Sequence, residues 1–244
     1  MLISQSGGLL YHAKAFRYQK SIWSPFRSEV EHWLRTSWSP DRSRPLILIG
    51  SSAGWCLPLD FLREFRSIAA YDPDPFALWL LKRRLNHPGL RTHTQDALGI
   101  RNLPPAGPLR QILEDPAHQG ASILFCNLWG QLHFEEGLES CIPRWRRELE
   151  TLLEGRNWAS FFDRVSGSEK PEITERNRSS SSSLSDTEII ARYYARTRDS
   201  ARGTIELQDH GTESYFRELP RQHLNWELRP GRYHLIEAIA RKTE

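Results

Sequence analysis

The sequence predicts an α/β protein built on a doubly wound, mostly parallel sheet. Three observations carry this. Short apolar runs alternate with helical patterns from Pro45 to about Gly130, as repeated βαβ units require. Leu46–Ile49 is apolar at every position, so that strand is expected to be covered on both faces. The carboxyl ends of consecutive predicted strands carry polar or acidic residues, at the sheet edge where open α/β folds place their ligands.

Taken in chain order, residues 1–44 are rich in aromatics and serine and read as an N-terminal helical extension. A helix is expected over about Pro25–Leu34, where Phe26, Val30, Trp33 and Leu34 recur at helical spacing. Residues 45–244 read as one domain. Its first strand, Leu46–Ile49, runs into Gly50-Ser-Ser-Ala-Gly54, and a helix is expected to begin near Trp55 or Cys56. Such a turn into a helix N-terminus offers backbone N–H groups to a ligand; a tight βα turn without a ligand explains the same residues. A second strand, about Ser67–Tyr71, ends in Asp72-Pro-Asp-Pro75. Asp74 before Pro75 has the form of an N-cap and first helical residue. That leaves Asp72, 22 positions beyond Gly50, for a ribose hydroxyl. The third strand, about Leu90–Thr94, ends at Gln95-Asp96, and the fourth, Ser122–Cys126, ends at Asn127.

Residues 166–186 form a polar, serine-rich stretch expected to be a mobile surface loop. Ser185 and Glu188 have capping-box spacing, so a helix is expected to follow through about Arg198. It carries Arg192, Arg196 and Arg198, which suit either an anion-binding face or a plain solvated one. Two strand-like runs flank Pro230-Gly231 and predict a C-terminal hairpin.

Composition narrows the function. Hydrophobic content of 39% with 26% charged residues describes a folded globular chain. No apolar run approaches the ~20 residues of a membrane span, and the N-terminus lacks a signal-peptide pattern. The three cysteines, Cys56, Cys126 and Cys141, lack metal-ligand spacing and fit a reduced, cytoplasmic setting. The net charge of +3 is too small to imply nucleic acid. The basic residues are 28 Arg and 5 Lys; phosphate recognition favours Arg, but a GC-rich coding bias produces the same skew.

The loop itself excludes two nucleotide classes. A dinucleotide site needs glycine at three places, here occupied by Gly50, Ser52 and Trp55, and a tryptophan blocks the close helix packing required. No Gly-Lys-Ser/Thr of a phosphate-binding P-loop occurs.

With these residues the chain resembles the class I S-adenosylmethionine-dependent methyltransferases. "GSSAG" (Gly50, Ser51, Ser52, Gly54) matches their glycine loop around the cofactor. Asp72 matches the acid that holds the ribose, Asp96 the one that contacts adenine, and Asn127 the polar residue facing the methyl group. "WASFFDRVSG" resembles the fifth strand and "WELRPGRYHLIEAI" the terminal hairpin, whose last strand inserts beside the fifth. The resemblance therefore implies a seven-stranded Rossmann-like sheet, S-adenosylmethionine as cofactor, and an unidentified acceptor: small molecule, RNA or protein. Leu48 stands where many members have an acid, and Ser52 where they have the central glycine. Those departures admit a second reading, a catalytically inactive member that binds a nucleoside or a partner protein.

Further catalytic candidates are Asp163 and Ser166 at the end of the fifth strand, and His133 as a general base. Turn-capping for the first two and a surface position for the histidine are the competing readings. Cys126 has the chemistry of a nucleophile but lies in an apolar strand, where a buried thiol is inert. Tyr11 and His12 reach the site only if the N-terminal arm folds over it. No zinc spacing or serine triad is present.

Overall fold

A computed structural model describes residues 3–4, 7–100, 104–134, 137–138, 140–195 and 206–243, with side chains from residue 11 onward. In chain order, the two-residue strands β1 (Ile3–Ser4) and β2 (Gly7–Gly8) pair antiparallel and lead into α1 (Leu9–Tyr18) and α2 (Trp23–Trp33). A π-helical turn, Leu34–Trp38, closes α2. There follow β3 (Leu46–Ile49), α3 (Leu59–Arg63), β4 (Ile68–Asp72), α4 (Pro75–Leu85), β5 (Leu90–Thr94) and α5 (Gly107–Glu114). Next come β6 (Ser122–Cys126), α6 (Trp129–Leu132), α7 (Ile142–Leu152) and β7 (Trp158–Gly167). The chain finishes with β8 (Ser179–Ser180), α8 (Asp186–Tyr193), β9 (Leu207–Asp209) and the hairpin β10 (Arg221–Arg229) and β11 (Arg232–Arg241).

The sheet order is β5-β4-β3-β6-β7-β11-β10-β8, with β9 on β7. Strands β5 through β7 are parallel, while β11 inserts antiparallel between β7 and β10. The seven expected strands are all present. The sheet exceeds that number by β8 and β9, short additions on β10 and β7.

The apolar run of β3 divides between two cores as its pleat dictates. Leu46 and Leu48 enter the cluster beneath α2, α3 and α4, and Ile47 and Ile49 enter the one beneath α5 and α7. Both faces are covered, so each of these side chains contributes ~1.5–3 kcal/mol of burial. The N-terminal extension shares the first of these cores. Phe26 stacks on Trp226 at 5.1 Å, and the indole N–H of Trp23 donates to the carbonyl of Leu228 at 3.0 Å.

The serine-rich stretch is pinned where composition suggested a loose loop. Ser179 and Ser180 pair with Gln222 and Arg221, and Ser183 and Leu184 are buried. The β10 edge supplies backbone partners that no local pattern announces. Beneath it, β7 bulges at Arg164, as the register passes from Val165–Leu235 to Asp163–Ile236. The fully buried Arg164 guanidinium reaches Asp186, Asp209 (2.5 Å) and Glu213 (3.7 Å), tying α8 and β9 to the sheet. The capping box of Ser185 and Glu188 is formed. Its helix ends at Tyr193; Arg196 and Arg198 lie outside the described residues. Arg192 donates to the carbonyls of Asn177 and Ser179, holding the serine segment. Among the described residues, no helix is long and apolar enough to cross a membrane.

Candidate functional site

The carboxyl edge of the parallel strands gathers the residues singled out above into two clusters. The first surrounds the glycine loop. The chain turns with positive φ at Gly50 (68°), Ser52 (46°) and Gly54 (66°), and the N–H of Gly54 closes a turn on the carbonyl of Ser51 at 2.9 Å. The loop is longer than the sequence suggested: α3 starts at Leu59, not near Trp55 or Cys56, because Pro58 takes the N-cap in extended conformation. Residues 55–57 therefore form a turn, with the N–H of Leu57 on the carbonyl of Gly54.

Asp72 fastens this loop. Its Oδ2 accepts the N–H of Ser52 at 2.8 Å and its Oδ1 the N–H of Asp74 at 2.9 Å. The residue is only 7% exposed, and burial raises its carboxyl pKa against the opposing effect of the two N–H groups. Asp74 caps α4, accepting from the N–H groups of Phe76 (2.9 Å) and Ala77 (3.2 Å). The glycines are packed by protein. A side chain on Gly50 would start 2.2 Å from Leu128, and one on Gly54 2.8 Å from Leu81.

The N-terminal helix does fold over this loop. His12 accepts the indole N–H of Trp55 on Nδ1 at 2.9 Å and lies 3.6 Å from the Asp74 carboxylate through Nε2. Tyr11 meets the thiol of Cys56 at 3.5 Å. Arg84 from α4 lies 3.9 Å over the Trp55 ring and donates to the carbonyl of Ala53. Burial lowers its pKa to about 10. The Cys56 thiol is pushed up to about 12 by burial, and Cys126 is also raised well above its ordinary value. Neither is a thiolate at neutral pH.

The second cluster joins the end of β6 to the middle of β7: Asp163 lies within that strand, not at its end as expected, just beyond the last β6 pairing at Phe161. Asn127 sits at a φ of 52°; its Nδ2 donates to Asp163 Oδ2 at 3.1 Å, and its Oδ1 accepts the N–H of Asp163 at 3.0 Å. Asp163 Oδ1 lies 2.7 Å from Nδ1 of His234. Burial opposes ionisation of this carboxyl, but His234 and its hydrogen bond prevail and hold it below the ordinary carboxylate value. With Nδ1–H assigned to the carboxylate, the other ring nitrogen, Nε2, is buried without a hydrogen-bond partner. His210 stands 5.9 Å from His234, bonded to the Gly130 carbonyl at 3.0 Å and the Ser166 hydroxyl at 3.1 Å. α6 approaches closely because Gly130 has no side chain: a Cβ there would lie 2.7 Å from the carbonyl of Asp163.

Two expected residues stand apart from these clusters. Asp96 is exposed, and its carboxylate accepts the N–H groups of Leu98 (3.0 Å) and Gly99 (3.3 Å). His133 packs against Gly211 and the edge of Tyr215, with its pKa lowered by burial. His234 and His210 were not singled out in the sequence. The available signal was polar residues interrupting apolar strand runs, as in "YHLIEAI". Among the described residues, no group of three or more His, Cys, Asp and Glu side chains is placed to hold a metal ion.

Strand order, parallel core and the inserted hairpin together define the Rossmann-like fold of class I methyltransferases. No protein-family model matches the chain, and no curated protein matches it. Solved structures similar to it include a SAM-dependent methyltransferase from Anabaena variabilis, at 12% identity over 99% of both chains with a TM-score of 0.48. An N-methyltransferase from Bradyrhizobium japonicum, in complex with S-adenosyl-L-homocysteine, is 12% identical over 93% of this chain and 98% of its own, with a TM-score of 0.44. Magnesium protoporphyrin IX methyltransferase from Synechocystis, with bound SAM, is 12% identical over 97% and 86%, with a TM-score of 0.41.

Proposed function

We infer that this chain binds S-adenosylmethionine and transfers its methyl group to an acceptor. The observation that carries the reading is Asp72, a buried carboxylate at the end of β4 held against the glycine loop. Each of its oxygens accepts one backbone N–H, and a carboxylate has about four lone-pair sites. Acceptor capacity thus remains for two adjacent hydroxyls, which is the donor set of a ribose. In this reading Gly50, Ser51, Ser52 and Gly54 form the backbone cradle, with Asp72 on the ribose and the Asp96 turn beside the base. Bound there, the cofactor supplies an electrophilic methyl group on a sulfonium.

The chain's own contribution to the chemistry is positioning and removal of a proton. Asn127 fixes Asp163, and Asp163 holds Nδ1 of His234, which leaves Nε2 as the ring atom for proton exchange. We assign the general-base role considered for His133 to His234 instead, because Asp163 orients its ring through Nδ1. Holding acceptor and methyl in line is expected to supply most of the rate enhancement.

A second reading, a binding protein that has lost catalysis, draws on one observation. Leu128 covers the open side of Gly50, the surface a glycine would otherwise leave bare. Incubation with methyl-labelled S-adenosylmethionine and separate pools of small molecules, RNA and protein separates the two. Methyl transfer is expected to one pool with the wild type and to be lost with Asp72→Ala. Cofactor binding without labelling of any pool would favour the binding protein.

A further inference from the structure

Among the described residues, the large exposed apolar side chains are Phe16, Phe76, Trp79 and Phe134. All four are aromatic, and three stand on the neighbouring helices α1 and α4. α1 runs alongside α4: His12 contacts Asp74 and the Phe76 ring (5.5 Å) at one end, and Gln19 accepts from Arg84 at 3.3 Å at the other. Phe16 projects from α1 between these anchors and is 75% exposed. On α4, Phe76 stacks on Trp79 with centroids 5.7 Å apart and planes at 18°, and the Arg83 guanidinium lies 4.5 Å from the Trp79 ring. Phe76, Trp79 and Arg83 thus stack as flat groups on the exposed side of α4.

Its charge is of one sign. Neither helix contains an Asp or Glu. Lys14, Arg17 and Lys20 on or just beyond α1, and Lys82 and Arg83 on α4, are all exposed. The surface begins at Asp74, the residue after which α4 starts, and so borders the mouth of the glycine loop. Rings also anchor protein interfaces and interfacial helices, so the observation that favours a polyanion is the absence of any acidic residue from either helix. An exclusively aromatic set interleaved with guanidinium and ammonium groups matches what successive nucleobases and phosphates require.

We propose that the α1–α4 surface binds single-stranded nucleic acid, its bases stacking on Phe16, Phe76 and Trp79 and its phosphates paired by the surrounding cations. The assignment of this strand as the methyl acceptor rests on the function proposed above; the binding itself does not. Binding of a fluorescein-labelled, mixed-sequence single-stranded RNA and its DNA counterpart to the full chain, without cofactor, tests it by anisotropy. Both are expected to bind. Trp79→Ala and Phe16→Ala are expected to weaken binding by about five- to a hundredfold, the scale of a lost base–aromatic stack. Arg83→Ala is expected to reduce the salt dependence by about one phosphate contact. These positions are exposed, so unchanged melting temperatures verify the variants. Affinity unchanged in all three variants would overturn the proposal. So would sedimentation with vesicles of anionic phospholipid in place of oligonucleotide binding. A normal calorimetric titration with S-adenosylmethionine beside failed oligonucleotide binding would reject this surface alone.

Discussion

Replacing Asp72 by alanine removes two hydrogen bonds that hold the candidate site together. Both run from backbone N–H groups, those of Ser52 and Asp74, to an ionised and largely buried carboxylate. Hydrogen bonds to charged groups are worth ~1.5–3 kcal/mol each, so the gross loss is about 3–6 kcal/mol. Part of this is returned, because burial penalises the charged form and raises the Asp72 pKa. A net destabilisation of about 2–4 kcal/mol is therefore expected, together with a tenfold to hundredfold loss of cofactor affinity from the missing ribose contact. Asp74→Ala removes a helix cap instead and is expected to cost about 1 kcal/mol with affinity nearly unchanged. Urea denaturation of the two variants, paired with calorimetric titration of each, reads both quantities. Wild-type stability and affinity in Asp72→Ala, or the larger affinity loss in Asp74→Ala, would refute the division of labour between the two aspartates.

Three further outcomes follow from the same contacts. Gly50→Ala is expected to cost about 1–3 kcal/mol, from positive φ and overlap with Leu128; Leu128→Ala in the same chain should relieve the overlap, measurable as a coupling energy in a double-mutant cycle. Asn127→Gly keeps the positive-φ backbone but frees Asp163, so cofactor affinity should stay unchanged while turnover falls ten- to a thousandfold once an acceptor is known; full activity would remove Asn127 from the chemistry. Burial lowers the pKa of His210 and His133 below the ordinary 6.5, so below that pH the unfolded chain binds more protons than the folded one. Stability is then complete above about 6.5 and lost as pH falls through the histidine range, a trend that melting temperatures at stepped pH will show or contradict.

The elements legible in the sequence were those specified locally. Leu46–Ile49 and Ser122–Cys126 form strands with the bounds their apolar runs suggested, Leu90–Thr94 forms the strand expected there, and Asp74-Pro75 caps α4 as its side-chain chemistry requires. What local pattern missed depends on distant partners. Ser179 and Ser180 become a strand because β10 offers an open edge some forty residues later. His234 reaches Asp163 only through the β7–β11 register, and α1 reaches the glycine loop through a bond from Trp55 to His12. The start of α3 was misplaced for a local reason: Pro58 outweighed the apolar residues before it.

The central claim is that the Gly50–Gly54 loop and Asp72 form a site for an adenosyl cofactor. Calorimetric titration of the full chain with S-adenosylmethionine, and separately with S-adenosylhomocysteine, tests it most directly. The account predicts saturable binding of one equivalent of each, weakened in Asp72→Ala and, because the ribose hydroxyls need an ionised acceptor, weakened as pH falls through a carboxyl pKa that burial raises above 3.8. A folded wild-type chain that binds neither compound would contradict it.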